Sequence, residues 1–225
     1  ARLAGMCNLY SMDTGLDAVR AAVRQLGLDL ATESATGNFA GLPRLYPDQD
    51  GVVIHAAGEG AQLSAMRWGF PPAGQGKSPI TNIRNLSSAW WRKVNGEYLM
   101  QPEYRCLVPF TRFAEPIQGR RNAWFAVPDR ELSFFAGIWR PWTGKRLAPV
   151  PDKARRQQTE GDWRLYAFLT TEPNEVVAPI HPKAMPVILT DPADCRRWLA
   201  GGEDSLSLQR PLPDDQLAIV ERDPG

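Results

Sequence analysis

The sequence lacks any apolar run close to the roughly 20 residues that span a bilayer as a helix. It also lacks the opening basic segment and apolar stretch of a secretory signal. Both absences lead to the expectation of a cytoplasmic chain with no membrane partner. Histidine is scarce, with two residues, and the three cysteines form no C-x-x-C pair. A zinc site would need ligands from distant segments, so neither a metal nor a cofactor is expected. An odd number of cysteines in a cytosolic setting also argues against a disulfide scaffold. A surplus of one charge is missing as well: 26 Lys+Arg against 25 Asp+Glu leave a net +1. Any binding to nucleic acid must therefore come from local clusters of basic side chains, because global attraction is negligible.

What is present is ordinary for a globular protein. The chain has 225 residues, of which 43% are hydrophobic and 23% charged, enough for a sizeable core. Residues 1–5 precede Met6 and read as an expression remnant, leaving a single domain over 6–225. Thr14 with Asp17 forms a capping-box pattern, and Leu16, Val19, Val23 and Leu26 follow at helical spacing to a stop at Gly27, predicting a helix over 14–27. Residues 32–51 read as a loop. Val52–Ala57 and Gln62–Trp68 read as strands joined by Gly58-Glu59-Gly60. Residues 71–79 read as a mobile loop, and 87–94 as a short helix stopped by Asn95-Gly96. Strand-like runs follow at 104–110, 123–127, 132–139, 165–170 and 185–190, with a hairpin from Trp124 to Ile138 turning near Pro128-Asp129. Residues 143–163 read as a flexible excursion. Asp191-Pro192 marks the start of a last helix that ends at Gly201. No repeat or linker interrupts the pattern, so the fold class expected is α+β, one strand-rich domain with peripheral helices.

Four stretches carry chemistry. Cys7 follows Met6, and methionine removal would give it a free α-amine beside its thiol. With reference pKa values of about 7.7–8.0 and 8.5, both groups would be partly deprotonated near neutrality. Such a 1,2-aminothiol attacks an aldehyde twice, as amine and then as thiol, closing a thiazolidine. In Thr81-Asn82-Ile83-Arg84-Asn85, Asn82 can bond a substrate hydroxyl and Arg84 a phosphate. Glu115 ends the apolar run from Tyr104, where poor solvation would raise its pKa and suit it to proton transfer. His181 lies in the proline-bracketed turn Ile180-His181-Pro182-Lys183-Ala184-Met185-Pro186, where it can move protons. Each also has an ordinary structural reading. A free cysteine is usually a small buried hydrophobe, and the others can be a turn cap with a solvated arginine, a strand-end glutamate and a turn histidine.

Taken in order, these residues resemble one family. Met-Cys at 6–7, Trp68-Gly69, Asn-x-Arg at 82–84, Arg-Cys-Leu-Val-Pro at 105–109 leading to Glu115, Ala-Gly-Ile-Trp at 136–139 and the 180–186 turn are similar to the SOS-response-associated peptidase (SRAP) family from Met6 to about Leu199. The resemblance implies a compact α+β fold with curved mixed sheets forming a barrel-like core around the site. It implies Cys7 as nucleophile, Asn82, Glu115 and His181 as catalytic residues, and Arg84 as a phosphate contact. The activity implied is lyase-like: covalent capture of abasic sites in single-stranded DNA, in the DNA damage response. Further expectations are that Trp68 stacks on a base or wedges at a single-strand/double-strand junction, that Lys183 meets a phosphate, and that the protein is a monomer, nucleoid-associated when bound to DNA. Departures are Asn8-Leu9 where the family usually has Gly-Arg, and Lys183 with an extra residue where it has His-x-Arg. Two rival readings remain: a cysteine peptidase or self-processing hydrolase using Cys7, His181 and Asn82, and a non-catalytic single-stranded DNA-binding module.

Overall fold

The structure, a computed structural model, describes residues 7–34, 41–58, 60–72, 78–119, 121–148 and 155–223. In chain order the strands are β1 (Tyr10–Met12), β2 (Leu30–Ser34), β3 (Leu42–Leu45), β4 (Asp50–Ala57), β5 (Gly60–Trp68), β6 (Asn82–Ile83) and β7 (Arg105–Phe110). They continue with β8 (Arg112–Ile117), β9 (Arg121–Ala126), β10 (Ser133–Ala148), β11 (Gln157–Thr171), β12 (Met185–Pro186), β13 (Ile188–Leu189) and β14 (Ala218–Arg222). The helices are α1 (Leu16–Gln25), α2 (Ala89–Met100) and α3 (Pro192–Leu199).

Two sheets form. The smaller runs β14-β9-β8-β1-β3; in the larger, β11-β10-β7-β4-β5 lie side by side. A parallel pairing of β5 with β11, Arg67 with Leu165 and Trp68 with Tyr166, closes those five strands into a barrel. The fold is thus α+β, with a barrel-like core of mixed pairing, as expected.

Strand alternation sorts the barrel side chains into two cores. Val52, Ile54, Leu107, Ala136, Ile138, Leu165, Ala167 and Leu169 pack under the helices with Val19, Val23 and Trp198. Val53, Cys106, Val108, Phe135, Tyr166 and Phe168 face the other way, toward Cys7, Tyr10 and Phe113 of the smaller sheet's side. Aromatic rings fill this second core: Phe110 stacks on Phe135 at 3.9 Å, and Phe168 lies 4.5 Å from Phe135 and 5.3 Å from Trp68.

Several elements differ from the sequence reading. The capping box at Thr14 is not used: α1 starts at Leu16 with Gly15 at its N-cap and no side-chain cap. Its stop at Gly27, with φ +70°, is as expected. Residues 32–51 contain β3, most of β2 and the start of β4, where the polar sequence pairs with β1 and β5. α2 runs through Asn95-Gly96, because Asn95 is buried and its Oδ1 accepts a 2.9 Å bond from Arg140. Trp124 to Ile138 is not a hairpin: β9 pairs with β8 and β14, β10 with β7 and β11, and the chain crosses between sheets. Of the excursion expected at 143–163, residues 143–148 and 157–163 are strand and 149–154 lie outside the described residues. β10 and β11 stay in register from Gly137↔Phe168 to Ala148↔Gln157, and cation–π contacts take the place of aliphatic packing. The Arg67 guanidinium lies 4.6 Å from the Trp163 ring, and that of Arg146 5.9 Å from Trp142. The loop expected at 71–79 lies in part, at 73–77, outside the described residues, as do residues 1–6.

Candidate active site

The expected site residues come from four separate segments, and strand pairing brings those segments to one end of the barrel. β1 pairs with β8, Tyr10 opposite Phe113, and the Ala114 N–H donates to the Leu9 carbonyl at 2.9 Å. This lays residues 7–9 along Ala114-Glu115. β6 pairs with β11, Asn82 opposite Phe168, and β12 pairs with β11 at Thr171↔Met185. The last turns of β11 therefore hold the Asn82 segment and the turn carrying His181 together.

Glu115 is fully buried, and neither carboxylate oxygen makes a hydrogen bond of good geometry. Desolvation raises its pKa to about 8, opposed only by the nearby main-chain N–H of Cys7. Cys7 is buried too, its thiol donating weakly to the Leu9 carbonyl at 3.6 Å. Burial first, and then the negative charge of Glu115, push the thiol well above its ordinary value. In the chain with residues before Cys7, the thiol is thus held away from ionisation near neutrality; the sequence shows the cysteine, but not the apolar wall around it.

Asn82 is fixed in orientation. Its Nδ2 donates to the Cys7 carbonyl at 3.1 Å and to Thr81 Oγ1 at 2.8 Å; Thr81 Oγ1 in turn donates to Asn8 Oδ1 at 3.0 Å. Its Oδ1 is left buried without a partner. His181 is buried, with Nδ1 2.8 Å from the Ala184 carbonyl. A carbonyl only accepts, so Nδ1 carries the proton and Nε2, buried and unpartnered, is the atom free to gain or lose one. Thr81 and Asn8 were not picked out from the sequence; their only signal was proximity to Asn82 and Cys7.

The remaining expectations divide. Arg84 is exposed, but its Nη1 donates to the Thr171 carbonyl at 2.9 Å and the Lys183 carbonyl at 2.5 Å. It therefore holds the His181 turn against β11 besides presenting charge. Lys183 is exposed on that turn. Trp68 is corrected: fully buried, stacked on Phe168 and donating from Nε1 to the Thr81 carbonyl at 3.3 Å, it offers no face to a base. The hydrogen bonds of a Cys-His-Asn relay are not formed, because the Cys7 thiol, the His181 ring and the Asn82 amide each bond other groups. Beside the site lies a cleft of about 770 Å3 lined by Asn8, Leu9, Asn82, Ala114 and Pro116 among others. Ala114 and Pro116 alternate with Glu115 along β8 and so face the other way; the cleft meets the site through Asn82, whose Nδ2 donates to the Cys7 carbonyl.

Comparison with known proteins agrees with this arrangement. Residues 6–222 match the family described as SOS response associated peptidase (SRAP). A solved protein structure from Bordetella bronchiseptica is similar over 94% of this chain and 97% of its own, at 19% identity and a TM-score of 0.68. One from Bacteroides thetaiotaomicron covers 94% and 90%, at 19% identity and a TM-score of 0.62. A phage-related protein of Bordetella bronchiseptica covers 94% and 92%, at 15% identity and a TM-score of 0.58. At these identities the likeness establishes the fold alone. No curated protein matches.

The buried carboxyl sets a pH dependence of stability. Below about 4.5 Glu115 is protonated in folded and unfolded chains alike; between there and about 8 only the folded chain keeps the proton. Stability contributed by the neutral buried form is thus lost as pH rises through the folded value. Glu115→Gln, which has no charge to form, should gain stability relative to wild type between pH 4.5 and pH 9, by on the order of 4 kcal/mol. Urea unfolding of both proteins across that range measures it, and parallel profiles would show that the carboxyl is not held neutral.

Proposed function

The chain belongs to the SOS response associated peptidase (SRAP) family, and from that premise we propose that it processes damaged DNA by capturing abasic sites in single strands covalently at Cys7. The observation that carries this reading is a set of buried polar atoms left without partners: Asn82 Oδ1, both Glu115 oxygens and His181 Nε2. Buried polar groups are otherwise satisfied almost everywhere in folded proteins. A polar substrate with hydroxyls and an aldehyde supplies what these atoms lack.

The chemistry needs Cys7 as the first residue, after removal of what precedes it. The nitrogen beside Glu115 is then an α-amine, and in these dry surroundings a proton on it passes to the Glu115 carboxylate, leaving a neutral amine beside a neutral carboxyl. A proton on His181 Nε2 passes to the sugar ring oxygen as the closed hemiacetal opens, and the anomeric hydroxyl gives its own proton back to Nε2 as the aldehyde forms. Asn82 Oδ1 accepts from a sugar hydroxyl. The neutral amine adds to the aldehyde carbon, one of its protons passing to the oxygen, and the resulting hydroxyl leaves as water with a proton from Glu115, giving an iminium that keeps the remaining N–H. Burial favours the protonated thiol, so the amine reacts first. Glu115, now a carboxylate, takes the thiol proton back as the carbon–sulfur bond forms, and the iminium becomes the neutral ring N–H. A thiazolidine crosslink results, and the same donors run in reverse would release it. The exposed part of Arg84, with Lys183, faces the flanking phosphates.

Incubating protein that begins at Cys7 with single-stranded DNA bearing one abasic site tests the reading. A heat-stable adduct is expected from wild type and from Cys106→Ala and Cys195→Ala, whose thiols are buried in the cores. Cys7→Ala should give none while binding intact single strands as before. A normal yield of stable adduct from Cys7→Ala would exclude the assignment.

The Asn8–Thr81–Asn82 chain of bonds predicts a further effect. Thr81→Val removes the acceptor that fixes the Asn82 amide, so capture should slow by about tenfold, as for loss of one buried hydrogen bond of roughly 1.4 kcal/mol. Thr81→Ser should restore it. Equal single-turnover rates for the valine and serine variants would show that the bond has no part in placing Asn82.

A further inference from the structure

The cleft beside the site is unusual in its chemistry. Among the described residues, none that lines it is charged. Leu9, Pro47, Pro79 and Ile80 give it apolar walls, and Asn8 and Asn122 stand among them. Asn8 Oδ1 accepts from Thr81, so its Nδ2 is the group left to donate. Asn122 Nδ2 donates to Asp223 at 2.8 Å, so its Oδ1 is left to accept. The cleft thus offers one amide donor and one amide acceptor between apolar surfaces. Its volume, about 770 Å3, lies within the range of small-molecule sites.

At its rim is Tyr46, one of the few large apolar side chains left exposed, at 42%. Tyr46 is not on a loose segment. It begins a turn in which the Gln49 N–H donates to its carbonyl at 3.2 Å and Gln49 Oε1 accepts from its own N–H at 2.9 Å. The next residues are pinned: the Asp48 N–H donates to the Trp68 carbonyl at 2.9 Å, and Arg146 pairs with the Asp48 carboxylate at 2.9 Å. A ring presented on a fixed turn loses little entropy when another ring stacks on it.

We infer that this cleft seats the nucleobase adjacent to the captured abasic sugar, with Tyr46 as its stacking platform. The inference rests on the capture reading above. A phosphate finds no cation among the cleft's lining residues, whereas a neutral planar heterocycle finds apolar walls and both kinds of hydrogen-bonding group. Continuity with the site points the same way: Asn8, Thr81 and Asn82 line the cleft, and the bonds Thr81–Asn8, Asn82–Thr81 and Asn82–Cys7 carbonyl join it to the site. Base–aromatic stacking is commonly worth about 1–3 kcal/mol, so loss of the stack should cost about 5- to 150-fold in affinity.

The test uses single-stranded oligonucleotides with one abasic site. Its neighbour on either side is a normal nucleotide or an unreactive, baseless tetrahydrofuran unit. Affinity is read by fluorescence anisotropy in a Cys7→Ala background, and adduct formation separately with Cys7 intact. Removing the base on one side should weaken binding about tenfold, and removing it on the other should change little. Tyr46→Ala should lose the same factor on normal DNA and show no further loss on the baseless strand, whereas Tyr46→Phe should behave as wild type. If Tyr46→Ala binds normal DNA as wild type does, or keeps the full penalty for a baseless neighbour, the cleft is not the base site. Because anisotropy does not depend on bond formation, a missing adduct would overturn covalent capture, and the base-dependent difference would still decide the cleft.

Discussion

Everything in this site depends on a carboxyl group buried beside the main chain of Cys7. Among the described residues no cation pairs with Glu115 and neither carboxylate oxygen has a well-formed hydrogen bond, so burial favours its neutral form. In the proposed capture, that neutrality lets it carry protons in the neutral range. The same dry surroundings push the Cys7 thiol up, and in that capture nitrogen accordingly reacts first and sulfur second. A solvated carboxylate in this place would have no proton to give to a departing water, and an ionised thiol would compete with the amine for the aldehyde.

The surrounding fold is arranged to keep that pocket dry while gathering polar groups at its edge. Ring stacks of Phe110, Phe113, Phe135 and Phe168 fill the interior next to Cys7. Closure of the barrel by the parallel β5–β11 contact puts Trp68 into this packing and carries β11 past the site. β11 then holds β6 with Asn82 and, through β12, the turn with His181. Arg84, just after β6, ties that turn to β11 by donating to the carbonyls of Lys183 and Thr171. Its charge is therefore only part of its contribution, and a change at this position acts on the His181 turn as well as on any phosphate.

Much of this was legible from residue order. Alternation and the Gly58–Gly60 break marked β4 and β5, and Asp191-Pro192 marked α3, because in each case the signal is local. The Asp191 carboxylate does accept from the Ala193 N–H at 2.6 Å. The outer halves of β10 and β11 were not legible. Their arginines, lysines and glutamines resemble a solvated loop, and only the long-range contacts of Arg67 with Trp163 and of Arg146 with Asp48 reveal why they are held in strands. Trp68 misled for a related reason: an aromatic in a motif is equally consistent with a core and with a base platform, and burial decides. Exposed Tyr46 carried no motif at all. The family resemblance pointed to Cys7, Asn82, Glu115 and His181, but the orphaned atoms, the tautomer of His181 and the roles of Thr81 and Asn8 are properties of the assembled site.

The central claim is that the Cys7 nitrogen, and not the thiol alone, makes the bond. As an amide, that nitrogen has its lone pair delocalised into the preceding carbonyl and cannot form an imine. Intact-mass spectrometry of two preparations, one beginning at Ala1 and one at Cys7, each mixed with abasic single-stranded DNA, reads this directly. The account predicts a heat-stable adduct, one water lighter than the sum of its parts, from the chain beginning at Cys7 and none from the longer chain. Equal yields, with the Ala1 chain confirmed uncut, would contradict it.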